Sequence, residues 1–330
     1  MDEKDIKLSI IIPTYNNKQS LANTVESLFS QSRNNNIYEI IVVDDGSNDG
    51  TGTLFSNKNG ISYYRQENMG PAAARNLGIK KSRGAIIAFT DDDCIMDQNW
   101  ISEIMDTFET DPGLCGVEGR TISDFGLNCF FTHGIFLPSK KDNFSTCNIA
   151  YRKKIFEEIG LFDERFDRAW REDTDLAWRI LDKGHKIAFN PKVIVFHPAK
   201  YIGFFQRFKK SIIYFYEVLL FKKHPARYNR QIHKPILGIT STNKTAYLFI
   251  FFLAMLLWLF FVKRSIFLVA FFSYLILRIY KGFNLRHLMR KFKHIKNTDL
   301  LLYILFGDLQ FLFNLYHTIR GSIKFKKVLI

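Results

Sequence analysis

The C-terminal part of this sequence has almost no acidic residues. Residues 201–330 contain 22 lysines and arginines but only three acids, Glu217, Asp299 and Asp308, whereas residues 1–200 contain 24 basic and 29 acidic residues. The net charge of +14 therefore combines −5 from the first part with +19 from the second. This imbalance predicts two regions with different roles.

A strongly basic region commonly binds nucleic acid or an anionic membrane face. Here the basic residues are interleaved with long runs of Phe, Leu and Ile, whereas a nucleic-acid-binding arm is polar. The composition therefore favours a membrane partner and predicts no nucleic-acid partner.

Cysteine is also scarce, and its spacing excludes a disulfide framework. The four cysteines show no CxxC spacing, and all precede residue 150. We expect reduced, mostly buried thiols in a reducing compartment. Residues 1–7 are charged and the first apolar run, residues 8–12, is short, so we expect no leader and a cytoplasmic location for the first region. The cysteines are Cys94, Cys115, Cys129 and Cys147.

No G-x-G-x-x-G motif follows the first apolar strand, which disfavours a dinucleotide-dependent dehydrogenase. There is no internal repeat either. Instead, short β-branched runs alternate with helical patterns, which predicts an α/β fold with a largely parallel sheet covered on both faces. The predicted strands are residues 8–13, 38–43, 61–64, 85–90 and 193–196, and the predicted helices are 20–32, 70–81 and a helix beginning near 174.

The sequence changes character after residue 200. Residues 204–223 alternate aromatic and basic side chains, which is typical of an interfacial amphipathic helix within a segment 201–245. Residues 246–262 and 265–280 are apolar and near the lower length limit for a membrane span, and 300–317 is a third candidate. We expect a transmembrane hairpin with an interfacial third helix in 246–330, because this keeps the basic blocks at 281–296 and 320–327 cytoplasmic. A third span and a soluble helical domain are the alternatives.

Carboxylates directly follow two of the apolar strands. Asp44 and Asp45 follow the second strand, and the run Asp91, Asp92, Asp93 follows the fourth. Ligands of open α/β sheets bind at the carboxyl ends of the strands. We therefore expect the ligand site here, within a catalytic domain of residues 1–200.

The three adjacent acids at 91–93 repel one another unless a cation neutralises them. Mg²⁺ or Mn²⁺ is the natural partner, and such ions bridge to phosphates. In an extended segment Asp91 and Asp93 point to one side and Asp92 to the other. A solvated acidic turn is the alternative. The Asp45 segment is not a calcium loop, because Ser56 stands where the final Glu is required.

Three further positions have both a chemical and a purely structural interpretation. Arg75 lies near the start of a predicted helix rich in small residues. Its two interpretations are a residue that binds a phosphate group and an ordinary surface residue. Glu172 and Asp173 are interpreted either as providing a general base or as acids that stabilise the dipole of a helix in its first turn. His197, after a strand, suits a metal ligand or a packed side chain. Residues 124–145 are irregular and suit either a flap over the site or loop packing.

Taken together, these segments resemble family 2 of the glycosyltransferases, inverting enzymes with the GT-A fold. The resemblance covers residues 8–200, and its motifs occur in the family's order. They are SIIIPTYNN (9–17), IIVVDDGSNDGT (40–51), NMGPAAARNLGI (68–79), IAFTDDDC (87–94), CNIAYRKKIFEEIGLFDERF (147–166) and REDTDLAWRI (171–180).

The resemblance implies a role for each matching position, within a nucleotide-sugar half (1–120) and an acceptor half (121–200). Asp173, beside Glu172, matches the catalytic base. Asp93 matches the direct metal ligand of the DxD motif, with Asp91 and His197 beside the metal. Nucleotide-sugar binding is implied for Pro13, Tyr15, Asn17, Asp44, Asp45, Arg75, Asp91 and Asp92, and a sugar or acceptor role for Asn148, Arg152 and Trp170.

The activity implied by the resemblance is transfer of one or a few sugars from a nucleotide-sugar donor, with UDP the family's commonest carrier. A divalent metal, Mn²⁺ or Mg²⁺, would be the cofactor, and a glycan or lipid-linked hydroxyl at the cytoplasmic membrane face would be the acceptor. No QxxRW-type helix follows residue 180, which disfavours a processive synthase. A nucleotide-sugar-binding membrane protein without turnover is the alternative from another functional class.

Overall fold

The computed structural model describes residues 6–32, 37–123, 132–133, 143–232, 244–262, 264–288 and 297–329. The chain divides into two compact units. One comprises residues 1–126 with 134–199, and the other comprises residues 127–133 with 200–330.

Ten strands are described, eight of them in the first unit. They are β1 (Leu8–Thr14), β2 (Tyr38–Asp44), β3 (Ile61–Arg65), β4 (Ile86–Phe89), β5 (Ile95–Met96), β6 (Leu114–Ile122), β7 (Thr132–His133), β8 (Ile149–Arg152), β9 (Lys186–Phe196) and β10 (Lys200–Tyr201).

The helices of the first unit are α1 (Lys18–Phe29), α2 (Thr51–Phe55), α3 (Pro71–Lys81), α4 (Trp100–Thr110), α5 (Ile155–Ile159) and α6 (Glu172–Asp182). Those of the second unit are α7 (Phe204–Lys209), α8 (Ile213–Lys223), α9 (Pro225–Gln231), α10 (Lys244–Val262), α11 (Arg264–Leu288), α12 (Asn297–Phe306) and α13 (Gln310–Phe325).

The eight strands of the first unit form one mixed sheet in the order β3-β2-β1-β4-β8-β6-β9-β5. The block β3-β2-β1-β4 is parallel, as predicted from the buried apolar runs. Beyond it, β8 runs antiparallel to both β4 and β6. The sheet is therefore less parallel than the sequence predicted, because a four-residue apolar strand such as β8 carries no signal of its direction.

The core of the first unit lies against the central strands. Ile10, Ile12 and Val42 are completely buried there, together with Trp100 of α4. Helix α3 begins with Pro71 at its first turn, where the missing N–H costs no hydrogen bond. Gly70, just before it, has φ +91°, and a Cβ there would lie 2.4 Å from the carbonyl oxygen of Asp167. Glycine is thus required at the point where α3 leaves the sheet edge.

The second unit is helical, with β7 and β10 pairing antiparallel as a separate two-stranded sheet. Helices α8 and α13 pack closely, because Gly321 leaves room for the backbone of Phe215. Arg278 of α11 is buried and donates through Nε to the carbonyl of Ile304, 2.9 Å away, which satisfies the end of α12. The buried charge of Arg278 is thus paired within this unit.

The predicted transmembrane hairpin is not confirmed. Its two segments are helical, in α10 and α11. Across the described part of the chain, however, no helix combines the length and the apolar character that a bilayer crossing demands. The predicted interfacial helix at 204–223 forms as α7 and α8, separated by a short 3₁₀ turn. Most of the irregular segment 124–145 lies outside the described residues.

Candidate active site

The acidic residues predicted to mark the site lie at the same edge of the sheet. Strand β1 is paired in parallel with both β2 and β4, so their carboxyl ends are neighbours. Asp44 is the last residue of β2, and Asp91 to Asp93 follow β4 closely. The loops after all three strands therefore converge, which is the arrangement expected of a ligand site in an α/β sheet.

The three acids 91–93 form a turn, in which the amide of Cys94 donates to the carbonyl of Asp91 at 3.3 Å. The predicted alternation along an extended segment is therefore wrong. Each carboxylate instead has a different set of partners. Asp91 is 3.2 Å from Arg75, Asp93 is 3.4 Å from His197, and Asp92 faces the loop after β1.

Asp92 is anchored by two side chains of the loop after β1. Its carboxylate accepts hydrogen bonds from Thr14 Oγ1 and from Asn17 Nδ2, both at 2.7 Å. Burial raises its pKa to about 6, although the two hydrogen bonds oppose that shift. Asp92 and Asn17 therefore join the acidic turn to the loop between β1 and α1.

Asp44 lies fully buried at the end of β2. Its Oδ1 accepts from the amide of Ser47 at 2.7 Å, and its Oδ2 accepts from the hydroxyl of Tyr63 and lies 3.9 Å from Arg65. Burial, together with this hydrogen bond and the negative charge of Asp44, raises the pKa of Tyr63. Both carboxylate oxygens are therefore engaged within the protein.

Asp45 organises the loop that leads into α3. It accepts from the side chain of Gln66 at 2.7 Å and from the amides of Met69 and Gly70, each at 2.9 Å. The backbone donors before α3 are thereby satisfied by one carboxylate. This bonding gives Asp45 a structural role that the sequence did not suggest.

Pro13 and Tyr15 lie where β1 ends, beside these carboxylates. Tyr15 is half exposed, and the neighbouring residue Asn16 adopts a left-handed backbone with φ 51°. Asn16 accepts from the amide of Asn48 and donates its own amide to Ser47, so the loops after β1 and β2 are tied together. Tyr15 is thus an exposed aromatic ring on a well-ordered loop, suited to contact a planar base.

Arg75 of α3 is buried rather than on the surface. Its Nη1 donates to Glu172 at 2.8 Å, and its Nη2 donates to Asp91 at 3.2 Å. Its guanidinium carbon also lies 5.9 Å from the ring centre of Phe162. Burial opposes the charge, but the neighbouring acids outweigh it, so the pKa of Arg75 is raised. Arg75 therefore links the acidic turn to the beginning of α6.

Helix α6 presents Glu172 and Asp173 in its first turn. The preceding residue, Arg171, has φ 73°, a conformation that non-glycine residues rarely adopt and that often occurs at functional sites. Burial, the charge of Asp173 and the opposing charge of Arg75 set the pKa of Glu172 at about 7. Burial also raises the pKa of Asp173. The pair thus holds protons more tightly than ordinary carboxylates do.

The two acids differ in accessibility. Glu172 is 2% exposed, and Oε1 is bound to Arg75. Asp173 is partly exposed, and both of its described hydrogen bonds, from the amide and the hydroxyl of Thr174, fall on Oδ1. Asp173 is therefore the better candidate to receive a proton from a substrate, and Glu172 the better candidate to hold Arg75.

Of the predicted acceptor residues, only Trp170 lies beside the acidic pair. Its ring is 5.1 Å from the guanidinium carbon of Arg171, next to Glu172. Arg152 is at the opposite end of β8 from the site, because Arg152 pairs with Ile86 whereas Ile149 pairs with Phe89. Its guanidinium donates to carbonyls of β6 and α4. The structure therefore does not bring Arg152 to the site.

Asn148 is 1% exposed, and its amide group is used in the protein interior. Its Oδ1 accepts from the indole N–H of Trp100 at 2.8 Å, and its Nδ2 donates to the carbonyls of Arg120 and Val193 at 3.0 Å. It holds β6, β8 and β9 together instead of facing a substrate. The sequence motif identified the position but not the direction of the side chain.

Glu118 of β6 was missed by the sequence analysis. It is buried and accepts from the amides of Asn143 and Phe144 at 3.0 and 2.7 Å. It thereby fixes the segment that leads into Asn148. An acid inside an apolar strand was the only available signal.

The predicted metal set is partly assembled. One atom each from Asp93, Cys94 and His197 lie within 4.8 Å of one another, and His197 is buried. Asp91, the other predicted ligand, is paired with Arg75. Cys94 was not predicted as a site residue, although it directly follows the acidic run. These side chains fit a divalent cation, because a carboxylate and an imidazole converge in a pocket of limited exposure.

Comparison with known proteins identifies the family of this chain. Residues 9–160 match the family described as Glycosyl transferase family 2. The chain is 30% identical over 222 residues to glycosyltransferase AglE of Haloferax volcanii, covering 59% of this chain and 68% of AglE.

Two solved structures share the fold. The mannosyltransferase PcManGT from Pyrobaculum calidifontis, solved with GDP-Man and Mn²⁺, aligns with a TM-score of 0.52 at 17% identity, covering 69% of this chain and 66% of that one. S. aureus TarS 1–349, solved with UDP-GlcNAc, aligns with a TM-score of 0.50 at 16% identity, covering 69% and 77%. The fold is therefore of the GT-A type, and the sequence relationship shows that this chain belongs to glycosyltransferase family 2.

Proposed function

We propose that the chain transfers a sugar from a nucleoside-diphosphate sugar to an acceptor hydroxyl, with inversion at the anomeric carbon. The observation that carries the proposal is the continuous polar network from Asp91 through Arg75 to Glu172, with the partly exposed Asp173 at its end. This network joins the strand-end site, where a diphosphate would bind, to a carboxylate suited to act as a base.

Asp173 acts as the general base. Its carboxylate accepts the proton of the acceptor hydroxyl as that oxygen attacks the anomeric carbon, and the nucleoside diphosphate leaves with the electrons of the broken bond. One displacement inverts the configuration, so no carboxylate nucleophile is required. Because Glu172 is occupied by Arg75, it positions the network and does not compete for the acceptor proton.

Asp93 and His197 would hold a divalent cation, Mn²⁺ or Mg²⁺. Such a cation supplies positive charge that stabilises the leaving diphosphate. The protein contributes the fixed position of both ligands, since Asp93 follows the sheet edge and the amide of His197 donates to the carbonyl of Ile122 at 2.8 Å.

The donor is proposed to be a UDP-sugar, with Pro13 and Tyr15 against the base. The exposed ring of Tyr15 offers a stacking surface, and the buried carboxylates of Asp44 and Asp45 hold the surrounding loops in place. The two structural relatives were solved with UDP-GlcNAc and with GDP-Man. Both donors therefore belong in any substrate panel.

The acceptor is proposed to be a lipid-linked or cell-surface glycan precursor, reached at the cytoplasmic face of the cell membrane. Residues 201–330 carry a charge of +19. Large apolar side chains also stay exposed on the helices of the second unit, and exposed apolar surface of this kind marks protein or membrane interaction sites. They include Leu257, Trp258, Phe261, Val269, Ile276 and Leu277. Apolar contact combined with positive charge is the pattern that binds anionic lipid surfaces.

The test is a donor panel. The purified chain would be incubated with UDP-, GDP- and dTDP-sugars, with Mn²⁺ or with a chelator, and hydrolysis and binding would be measured for the wild type, Asp93→Ala and Asp173→Asn. We expect metal-dependent turnover of one donor, lost in both variants, with donor binding retained in Asp173→Asn. Full turnover by Asp173→Asn would overturn the assignment of the base.

Membrane association is tested separately, by flotation with vesicles of neutral or of mixed neutral and anionic lipid. We expect binding that requires the anionic lipid and weakens when Trp258 and Phe261 are changed to Ser. The matched control changes Phe29, an exposed aromatic of the first unit, to Ser. Equal binding to neutral vesicles, or equal loss in the control, would contradict the proposal.

A further inference from the structure

Asp93, Cys94 and His197 form a cluster that contains one more ligand type than the proposed cation site requires. One atom from each, including the sulfur of Cys94, lie within 4.8 Å of one another. Cys94 is completely buried, and His197 is 8% exposed. The three donors are therefore close enough to share one ion after small side-chain movements, and they are largely shielded from water.

The hydrogen bonding of His197 orients its ring for coordination. Its Nδ1 lies 3.2 Å from the carbonyl oxygen of Pro198, which can only accept, so this contact favours the form of the ring that carries the hydrogen on Nδ1. In the neutral ring Nε2 then presents a lone pair, and it lies 3.4 Å from Oδ1 of Asp93. Two acceptors facing each other are stabilised by a cation between them, and an imidazole fixed through its other nitrogen is the usual form of a metal ligand.

Cys94 has its own supporting contacts. Its thiol is within hydrogen-bond reach of Cys147. The sulfur of Cys147 accepts from the hydroxyl of Ser145 at 3.4 Å and lies 3.5 Å from the hydroxyl of Thr121. A Cys94 thiolate bound to a cation would only accept, so the S–H of Cys147, whose sulfur itself accepts from Ser145, would then donate to it. Outer hydrogen bonds of this kind stabilise and orient a metal-bound sulfur.

We propose that Cys94 is a third protein ligand of the cation site, so that the site selects borderline and soft divalent ions, such as Co²⁺, Zn²⁺ and Cd²⁺, over Mg²⁺. This inference rests on the proposed cation at Asp93 and His197 and adds a residue and a selectivity to it. A sulfur ligand favours softer ions, whereas a set of oxygen ligands favours Mg²⁺.

Cobalt provides a direct test, because a bond between sulfur and Co²⁺ produces a charge-transfer absorption in the near ultraviolet that oxygen and nitrogen ligands do not. The purified full chain would be titrated with Co²⁺ without oxygen. We expect this band in the wild type and its loss in Cys94→Ser. Cys115→Ser is the matched control, since it removes a buried thiol but leaves Cys94 and its contacts in place, and it is expected to keep the band.

Affinity gives a second readout. By calorimetry we expect Cys94→Ser to weaken Cd²⁺ binding about 10-fold or more, and Mn²⁺ or Mg²⁺ binding by less than about 3-fold. Thermal unfolding and circular dichroism of each variant establish that the fold is intact. Should Cys94→Ser fail to fold, the wild-type cobalt spectrum still decides whether sulfur is bound.

The outcomes separate this inference from the proposed function. If Co²⁺ binds in a manner that requires Asp93 but produces no sulfur-to-cobalt absorption band, Cys94 is not a ligand and the Asp93–His197 cation site is retained. If neither Co²⁺ nor Mn²⁺ binds, with or without UDP, the cation site itself is wrong, and His197 and Asp93 form a simple ion pair.

Discussion

Arg75 and Glu172 form a buried ion pair, with 2.8 Å between Nη1 and Oε1, that joins helix α3 to the first residue of helix α6. Both side chains are 3% exposed, and Arg75 also reaches Asp91. Arg75 therefore connects α3 with the acidic turn, 16 residues away in the sequence, and with α6, 97 residues away.

Removing one partner of this pair is expected to destabilise the protein strongly. Arg75→Ala leaves Glu172 buried without its counter-ion, and such losses cost about 3–5 kcal/mol. The free energy of unfolding, measured with urea, checks this value. Arg83→Ala is the control, because Arg83 is 59% exposed in its pair with Glu39 and is expected to cost about 0–1 kcal/mol. Equal effects of the two variants would show that burial does not distinguish the pairs.

Asp173→Asn is expected to lower kcat by about 10²–10⁴-fold, the usual contribution of a general base, while the dissociation constant for the donor changes little. The amide keeps the size of the side chain and can still accept from Thr174. Rapid-quench turnover and donor titration separate the two quantities. The control is Asp182→Asn, at the last residue of the same helix. A large change in donor affinity with normal kcat would assign Asp173 to binding.

The raised pKa of Glu172 makes stability depend on pH. Its pKa is about 7 in the folded protein against an ordinary value of 4.5, so between these values the folded state binds more protons than the unfolded state. The contribution of this group to stability is therefore present at low pH and is lost as pH rises from about 4.5 to about 7. Urea unfolding across this range should show a smaller decline in Glu172→Gln than in the wild type. Glu67→Gln, at an exposed position, controls for the loss of one negative charge. If the stability of Glu172→Gln declines with pH as steeply as that of the wild type, the prediction is contradicted.

Asn148→Ala is expected to lower stability by about 2–3 kcal/mol, because it leaves the indole N–H of Trp100 and two backbone carbonyls without a partner. The Asn148 side chain faces the interior. We therefore expect the folded fraction of the variant to have a Michaelis constant for the acceptor within about 3-fold of the wild-type value. Thermal unfolding and steady-state kinetics test the two halves of the prediction. If Asn148→Ala has normal stability but a raised Michaelis constant for the acceptor, Asn148 contacts the acceptor, as the family resemblance implies.

The strand-end site could be predicted because it depends on local signals. Residues 8–13 and 38–43 are apolar runs that end at polar residues, and in a parallel sheet such ends must meet. Asp44 and Asp91 to Asp93 were thereby assigned to one edge, and β1, β2 and β4 place them there. Helix α3 was equally clear from Pro71 and the small residues that follow it.

The remaining features depend on contacts between distant residues, which local patterns do not contain. Asn148 and Arg152 lie in a family motif, but their side chains turn inward or to the far end of β8. Cys94 was treated as a buried thiol because only the folded chain brings His197 beside it. The position of Asp91 to Asp93 directly after a strand suggested an extended segment. In the folded chain each acid has separate partners, namely Arg75, Thr14 with Asn17, and His197, and the segment is a turn.

The antiparallel direction of β8 has a consequence for how such an enzyme can change its preferences. The residues just before β8 arrive beside the end of β4, close to the acidic turn, whereas those after it leave at the opposite edge of the sheet. Side-chain exchanges at the partly exposed Asn143 and Ser145, which leave the buried residues 146–148 in place, would therefore change the surroundings of the acidic turn without altering the core. Under the proposed sugar transfer, exchanges at these two positions are expected to alter the preference for the acceptor more than the affinity for the donor.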